Sequence, residues 1–239
     1  MDTARAYLAE LSRRLSDPGW ALALSPAVEA VLASVRAGGI TYVFGTGHSH
    51  LLALDLHYRA GGPAFVVPVL DPGLMLHEGA IASTARERES GVAAEVLGRY
   101  PLSARDVLVV ISNSGVNAVP VEAAQAGRDA GARIIALTSL DYSAAASKGR
   151  TRLADLADVV IDNGLPPGDA MTALPGTALR AGPGSTAIGS ALLQALFAEV
   201  AARCAAEAAP PIYLSANMPG AEDHNRELIE RYRPLNPHL

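Results

Sequence analysis

Apolar residues along this chain follow two patterns in alternation, stripes at three- and four-residue spacing and short uninterrupted runs. The first stripe, Leu8, Leu11 and Leu15, predicts a helix over residues 2–15 that Asp17-Pro18-Gly19 stops. Ser25-Pro26 reads as the cap and first-turn proline of a second helix with Val28, Val31, Leu32 and Val35 on one side. Gly38-Gly39 ends it. The first run, Ile40 to Phe44, predicts a strand that enters Gly45-Thr46-Gly47-His48-Ser49-His50 and then a helix over about 49–60. A second short strand, Ala64 to Val67, follows the Gly61-Gly62-Pro63 break. Residues 68–101 are less regular, with a turn at Asp71-Pro72-Gly73 and short helices at 77–83 and 91–97.

The most regular unit comes next. Val107 to Ile111 is an unbroken β-favouring run between Asp106 and the polar turn Ser112-Asn113-Ser114-Gly115. A run of that kind suits a strand buried on both faces of a parallel sheet. Asn117 to Ala130 then predicts a helix, with Asn117 as cap, Pro120 in the first turn and Gly131 as stop. Arg133 to Leu137, ending at Thr138-Ser139, and Val159 to Ile161, ending at Asp162-Asn163-Gly164, predict two further strands. The Gly- and Pro-bearing residues 165–184 read as a long loop of the kind that often carries function. Ser185 to Ala206 predicts a helix whose stripe, Leu192, Leu193, Leu196, Phe197 and Val200, is wide enough for a core face and an interface. A short polar helix spans 222–233.

Strand and helix in alternation predict an α/β fold, a doubly wound five-stranded parallel sheet with helices before it. No boundary for a second domain is visible. The single domain covers 1–239, with a core over about 25–205, an N-terminal helix at 2–15 and a polar tail at 207–239.

Composition narrows the classes. The 239 residues suffice for a substantial core, and 50% are hydrophobic. Only 18% are charged, which suggests broad buried surfaces, a subunit interface among them. A net charge of −5 without a basic run argues against a nucleic-acid partner. The lone Cys204 excludes an internal disulfide and reads as an inert core thiol. The start of the chain has no apolar run behind basic residues, so no signal peptide is expected. The apolar stretch 187–204 is interrupted by Gln194, Glu199 and Arg203 and reads as too polar to span a bilayer. A cytoplasmic protein with no membrane partner is the expectation.

The candidate chemistry lies where strands turn into helices. Free amide groups and the positive helix end at Ser112-Asn113-Ser114-Gly115 favour an anion, and two hydroxyls add donors. The loop Gly45-Thr46-Gly47-His48-Ser49 lets the backbone approach a ligand closely. It is only a partial dinucleotide fingerprint, because His50 stands where a third glycine would allow close packing. A nicotinamide cofactor is therefore disfavoured. Two such loops, one strand–helix unit apart, would face one crevice in a doubly wound sheet.

Tyr-Val-Phe-Gly-Thr-Gly-His-Ser-His, Ile-Ser-Asn-Ser-Gly-Val-Asn and Ile-Ala-Leu-Thr-Ser-Leu together resemble the successive motifs of the sugar isomerase (SIS) domain family. The resemblance extends over about 25–205, and the His-Ser-His loop and Asp-His-Asn tail resemble a little-characterised single-domain branch. It implies a flavodoxin-like α/β sandwich that binds a phosphosugar, works without a cofactor and forms dimers or higher oligomers. In the family, the serines of Ser-x-Ser-Gly and the residue two after the glycine hold phosphate, which maps onto Ser112, Ser114 and Asn117. Asn117 stands where Thr is commoner. Thr138, Ser139 and the segment Pro183-Gly184-Ser185-Thr186 are expected to face the same pocket.

The reaction stays open between isomerase, lyase or etherase, and a ligand sensor without turnover. Isomerisation needs a base to move a proton between adjacent carbons, and Glu78 and His77 are the candidates. Adjacent helical residues point about 100° apart, so one pocket need not receive both. His224 is a weaker candidate, for this site or a neighbour's. His48-x-His50, with His57, His77 and His224, invites a metal reading. About five strands rather than a barrel's eight, and no further Asp ligand, leave those side chains as ligand contacts and predict no metal.

Overall fold

A computed structural model describes all residues 1–239. Two helices, α1 (Asp2–Leu15) and α2 (Trp20–Arg36), precede an alternation of strand and helix. It runs β1 (Thr41–Gly45), α3 (His50–Leu56), β2 (Val66–Val69), α4 (Ala80–Arg86), α5 (Val92–Leu97), β3 (Val107–Ile111) and α6 (Ala118–Asp129). Then come β4 (Arg133–Thr138), α7 (Leu140–Ser147), α8 (Leu153–Leu156), β5 (Val159–Asp162), β6 (Ala170–Ala173), β7 (Arg180–Pro183), α9 (Ser185–Ala205) and α10 (Ala221–Tyr232).

The main sheet has five strands in the order β2-β1-β3-β4-β5, all pairs parallel. Every residue of β1, β2 and β3 is buried, as strands covered on both faces must be. The chain leaves β1 toward one edge and leaves β3 toward the other. Right-handed crossovers running in opposite directions place their helices on opposite faces. Accordingly α2, α3 and α9 pack together, and α5, α6 and α8 form the other layer. Phe65 and Phe197, both buried with ring centres 6.1 Å apart, tie α9 to the approach of β2. Buried side chains of this size contribute roughly 1.5–3 kcal/mol each.

Four expectations need correction. The second helix begins at Trp20, so Pro26 lies inside it rather than in its first turn. The proline removes the bond to the carbonyl of Leu22, a residue 81% exposed, so water replaces the missing partner at little cost. The helix after the first loop opens with a 3-10 turn at Gly47–Ser49 and stops at Leu56, where His57 is extended and Tyr58 has φ 44°. The segment 165–184 is not a plain loop, because β6 and β7 pair as an antiparallel hairpin there. Asn117 holds the cap position of α6, but its side chain does not cap it.

Helices α7 and α8 match no apolar stripe in the sequence, and Ser143 is the only buried residue of α7. Length and hydropathy alone would let α9 cross a bilayer, contrary to the reading from its three polar residues. Its Ile188, Leu192, Leu193, Leu196, Phe197 and Val200 are instead buried in the core.

Candidate functional site

Gly45 of β1 pairs with Ile111 of β3, so the two polar loops leave the sheet side by side. This is where the strand order reverses, the usual ligand crevice of such sheets. A side chain at Gly45 would meet the Ser49 carbonyl at 2.6 Å, so only glycine allows the first turn. In the second loop Gly115 has φ 60°, and a Cβ there would lie 3.0 Å from the Thr138 hydroxyl. The Gly115 N–H donates to the Ser112 hydroxyl at 3.1 Å, and its carbonyl accepts from the Leu153 N–H at 2.8 Å. These bonds pin the loop. The N–H groups of Asn113, Ser114, Val116, Asn117 and Ala118 make no hydrogen bond within the chain. Exposed successive amides before a helix form a cradle for an oxyanion.

A cavity of about 450 Å³ opens between the loops. Thr46, His48 and Ser49 line it from the first loop, and Ser112, Asn113, Ser114 and Asn117 from the second. Ser185, at the start of α9, completes that set. Gly45, Gly47 and Gly115 shape the backbone and are absent from the wall. Thr186 borders a small adjoining crevice with Ser49 and Asn113.

Thr138 and Ser139, expected to face the pocket, are fully buried and do not line it. The Thr138 hydroxyl donates to the Asn113 carbonyl at 3.3 Å. Ser139 donates to the Leu165 carbonyl at 2.6 Å and accepts from the Tyr142 N–H, so it caps α7. The Asn113 side chain is engaged as well, its Oδ1 accepting from Asn163 at 2.8 Å. His77 and Glu78 lie outside the wall, with side chains 69% and 57% exposed and 3.4 Å apart.

Sequence reasoning missed Glu87, Arg88, Tyr142 and Asp169, all on the wall. Glu87 accepts from the Thr46 hydroxyl at 2.7 Å and from the Asn117 side-chain amide at 2.8 Å. The Asn117 side chain is thus turned to a carboxylate, and its backbone N–H remains for an anion. Asp169, in a left-handed conformation at φ 68°, accepts from the N–H groups of Gly184 at 3.1 Å and Ser185 at 2.9 Å. The Ser185 hydroxyl also donates to it, at 2.6 Å. A carboxylate at a helix N-terminus is favoured by the dipole there, and it takes the Gly184 and Ser185 amides. No motif signals either acid. Each reaches the cavity from an element remote in sequence.

The histidines are dispersed. His48 is exposed on the wall, while His50 is only 2% exposed and its Nε2 has no partner. Burial lowers the pKa of His50, and the neighbouring His77 lowers it further. His57 stands beside His238 with ring centres 6.1 Å apart, and His224 bonds the Ile212 carbonyl at 2.8 Å. No three metal-ligating side chains converge. Cys204 is half-buried, and burial pushes its thiol pKa up.

Fold and loops define a domain that presents unpaired backbone amides at the switch point of a parallel sheet. The SIS domain family model matches residues 4–139, and the chain belongs to that family. Among its relatives, a UPF0309 protein of Brucella canis is 55% identical over 216 residues, covering 90% of this chain and 89% of the relative. A UPF0309 protein of Brucella anthropi is 51% identical over 238 residues, covering 100% of this chain and 96% of the relative. The fold is shared with a phosphoheptose isomerase from Neisseria gonorrhoeae, at TM-score 0.53 and 21% identity over 83% of this chain and 97% of that one. It is also shared with a phosphoheptose isomerase from Francisella tularensis, at TM-score 0.54 and 16% identity over 83% of this chain and 96% of that one.

Proposed function

We propose that this protein binds a sugar phosphate, with the phosphate on the amides and hydroxyls of residues 112–118 and the sugar toward residues 45–49. The observation that carries the reading is one cavity joining both loops, with four amide groups along it, those of Asn113, Ser114, Val116 and Asn117, that have no partner in the chain. Two enzymes of the same fold are named for a phosphorylated heptose, which agrees with that ligand class. The reaction that fits is a cofactor-independent isomerisation or lyase step. Binding energy from the remote phosphate holds the sugar carbons against a proton-transfer group.

His48 is the group we assign to proton transfer, in place of the exposed His77 and Glu78. It stands on the wall without a partner in the chain, whereas Glu87 and Asp169 have their oxygens committed. A screen of phosphorylated sugars by thermal shift tests the binding, since a ligand of the folded state raises Tm. Ser114→Ala should weaken the shift. His48→Gln should lower turnover by about 10²–10⁴-fold and spare binding.

A second reading is a sensor without turnover, and the committed carboxylates on the wall favour it. Binding across aldose, ketose and amino-sugar phosphates with no product formed would support it; measurable turnover excludes it. The dimer or higher oligomer belongs to both readings, and light scattering on the purified protein checks it.

A further inference from the structure

Glu87 directly follows α4 and stands between the two ligand loops. Its Oε2 accepts from the Thr46 hydroxyl at 2.7 Å and its Oε1 from the Asn117 amide at 2.8 Å. Its backbone carbonyl accepts from the Val119 N–H at 3.1 Å, which fastens it to the first turn of α6. Arg88 Nη1 lies 3.2 Å from Oε1, and the Glu87 side chain is 18% exposed. Thr46, 7% exposed, makes no other side-chain hydrogen bond. No other side chain bonds a residue of each loop. Both oxygens are committed, so the geometry is that of a strut rather than a proton carrier.

We infer that Glu87 is a positioning residue whose carboxylate sets the span between residues 45–49 and 112–118, and thereby the length of sugar phosphate the cavity prefers. This rests on the cavity being a phosphosugar site. With the phosphate fixed on one loop and the far end of the sugar against the other, one carbon more or less is felt only if the separation is fixed. A misplacement of about 1 Å costs on the order of 100-fold in a well-ordered site. A single methylene is worth roughly 10–200-fold in discrimination.

The test compares wild type with Glu87→Gln, Glu87→Asp and Glu87→Ala. Calorimetry measures Kd for inorganic phosphate and for pentose, hexose and heptose phosphates, and melting curves check folding. Gln keeps the reach of Glu without its charge, and its amide can still join Thr46 to a turned Asn117. Asp keeps the charge but is a methylene too short to reach both partners. A positioning role therefore predicts that Glu87→Gln keeps the wild-type ranking of sugars. Glu87→Asp and Glu87→Ala should flatten it by roughly tenfold or more, while inorganic phosphate binds Glu87→Asp as it binds wild type and binds the uncharged Gln and Ala variants no more weakly.

A wild-type ranking in Glu87→Asp overturns the inference. So does a Glu87→Gln protein as flattened as Glu87→Asp, since charge and not span would then govern. A wild type that binds all lengths equally also overturns it but leaves the cavity reading standing. If wild type binds neither inorganic phosphate nor any sugar phosphate, the cavity reading itself fails. Should Glu87→Ala not fold, the Gln and Asp variants carry the comparison.

Discussion

At the amino rim of the sheet a hollow of about 510 Å³ is lined by α2 and by the residues leading into β3 and β4, with Arg105 and Arg133 in its wall. At the carboxyl rim the cavity between the loops is smaller, about 450 Å³, and its only arginine is Arg88. Size and cationic side chains would favour the first for an anion. Backbone direction favours the second. At the amino rim carboxylates take amides beside the hollow: Asp106 accepts from the N–H groups of Ile40 and Ser103, and Asp158 accepts from the Ile134 N–H. Strands there are entered from helix C-termini, whose carbonyls repel anions. At the carboxyl rim Asn113, Ser114, Val116 and Asn117 ahead of α6, and Ala118 at its start, offer free N–H groups. The proposed anion site therefore follows where unpaired amides converge, not volume.

The harshest way to break this contrast is Gly115→Ala. It places a Cβ at φ 60° and 3.0 Å from the Thr138 hydroxyl, so the cradle must deform. A loss of about 1–3 kcal/mol in stability is expected, with sugar-phosphate affinity falling by more than about tenfold. Denaturant melts and calorimetry on one preparation would show both.

Ser114→Ala is milder. Removing one hydroxyl donor should cost about 0.5–1.5 kcal/mol of phosphate binding and leave Tm unchanged. An unchanged Kd would remove Ser114 from the cradle.

Asp169→Asn should cost about 1 kcal/mol by discharging the carboxylate at the start of α9. That corresponds to a Tm lower by about 2–4 °C at this chain size.

The carboxyl rim should also respond to pH, since the amino-rim hollow has no histidine. The pKa of His50 in the fold lies below its ordinary 6.5, because burial disfavours the charged ring. Below that pH the unfolded chain binds the proton and the folded chain does not, so stability is lost as pH falls under about 6.5. A flat Tm from pH 7 to 5 would contradict this, and His50→Gln should reduce the slope, leaving the share of His57 and His238, whose pKa values burial also lowers.

The smallest effect is the control at the other rim. Arg105→Ala with Arg133→Ala should leave sugar-phosphate affinity unchanged, although both arginines line the larger hollow.

Legibility in the sequence followed how local the cause was. Val107 to Ile111 was readable residue for residue, because an unbroken apolar run between turn residues has few other uses. The other four strands shift by one or two residues at their ends, where hydrogen-bonded partners extend them. The hairpin of β6 and β7 left no alternating pattern, since distant groups hold it. Tyr7 packs on Gly182 and donates to the Pro183 carbonyl at 3.1 Å, and Asp169 is drawn to α9. Thr138 and Ser139 read as ligand contacts from their place at a strand end, yet α7 and the Leu165 segment claim their hydroxyls.

By itself, then, the sequence determined the alternation of strand and helix and the two glycine-bearing turns that open the crevice. Those are set by apolar periodicity and by backbone conformations only certain residues accept. The tertiary structure alone decided what fills the rest of the wall. Glu87 reaches the cavity from 41 and 30 residues away from the loop residues it bonds, and Asp169 from 16 residues before the Ser185 it holds. Glu78 stays outside it. A hydrogen bond is decided by a few ångströms in space, and spacing along a chain does not encode that.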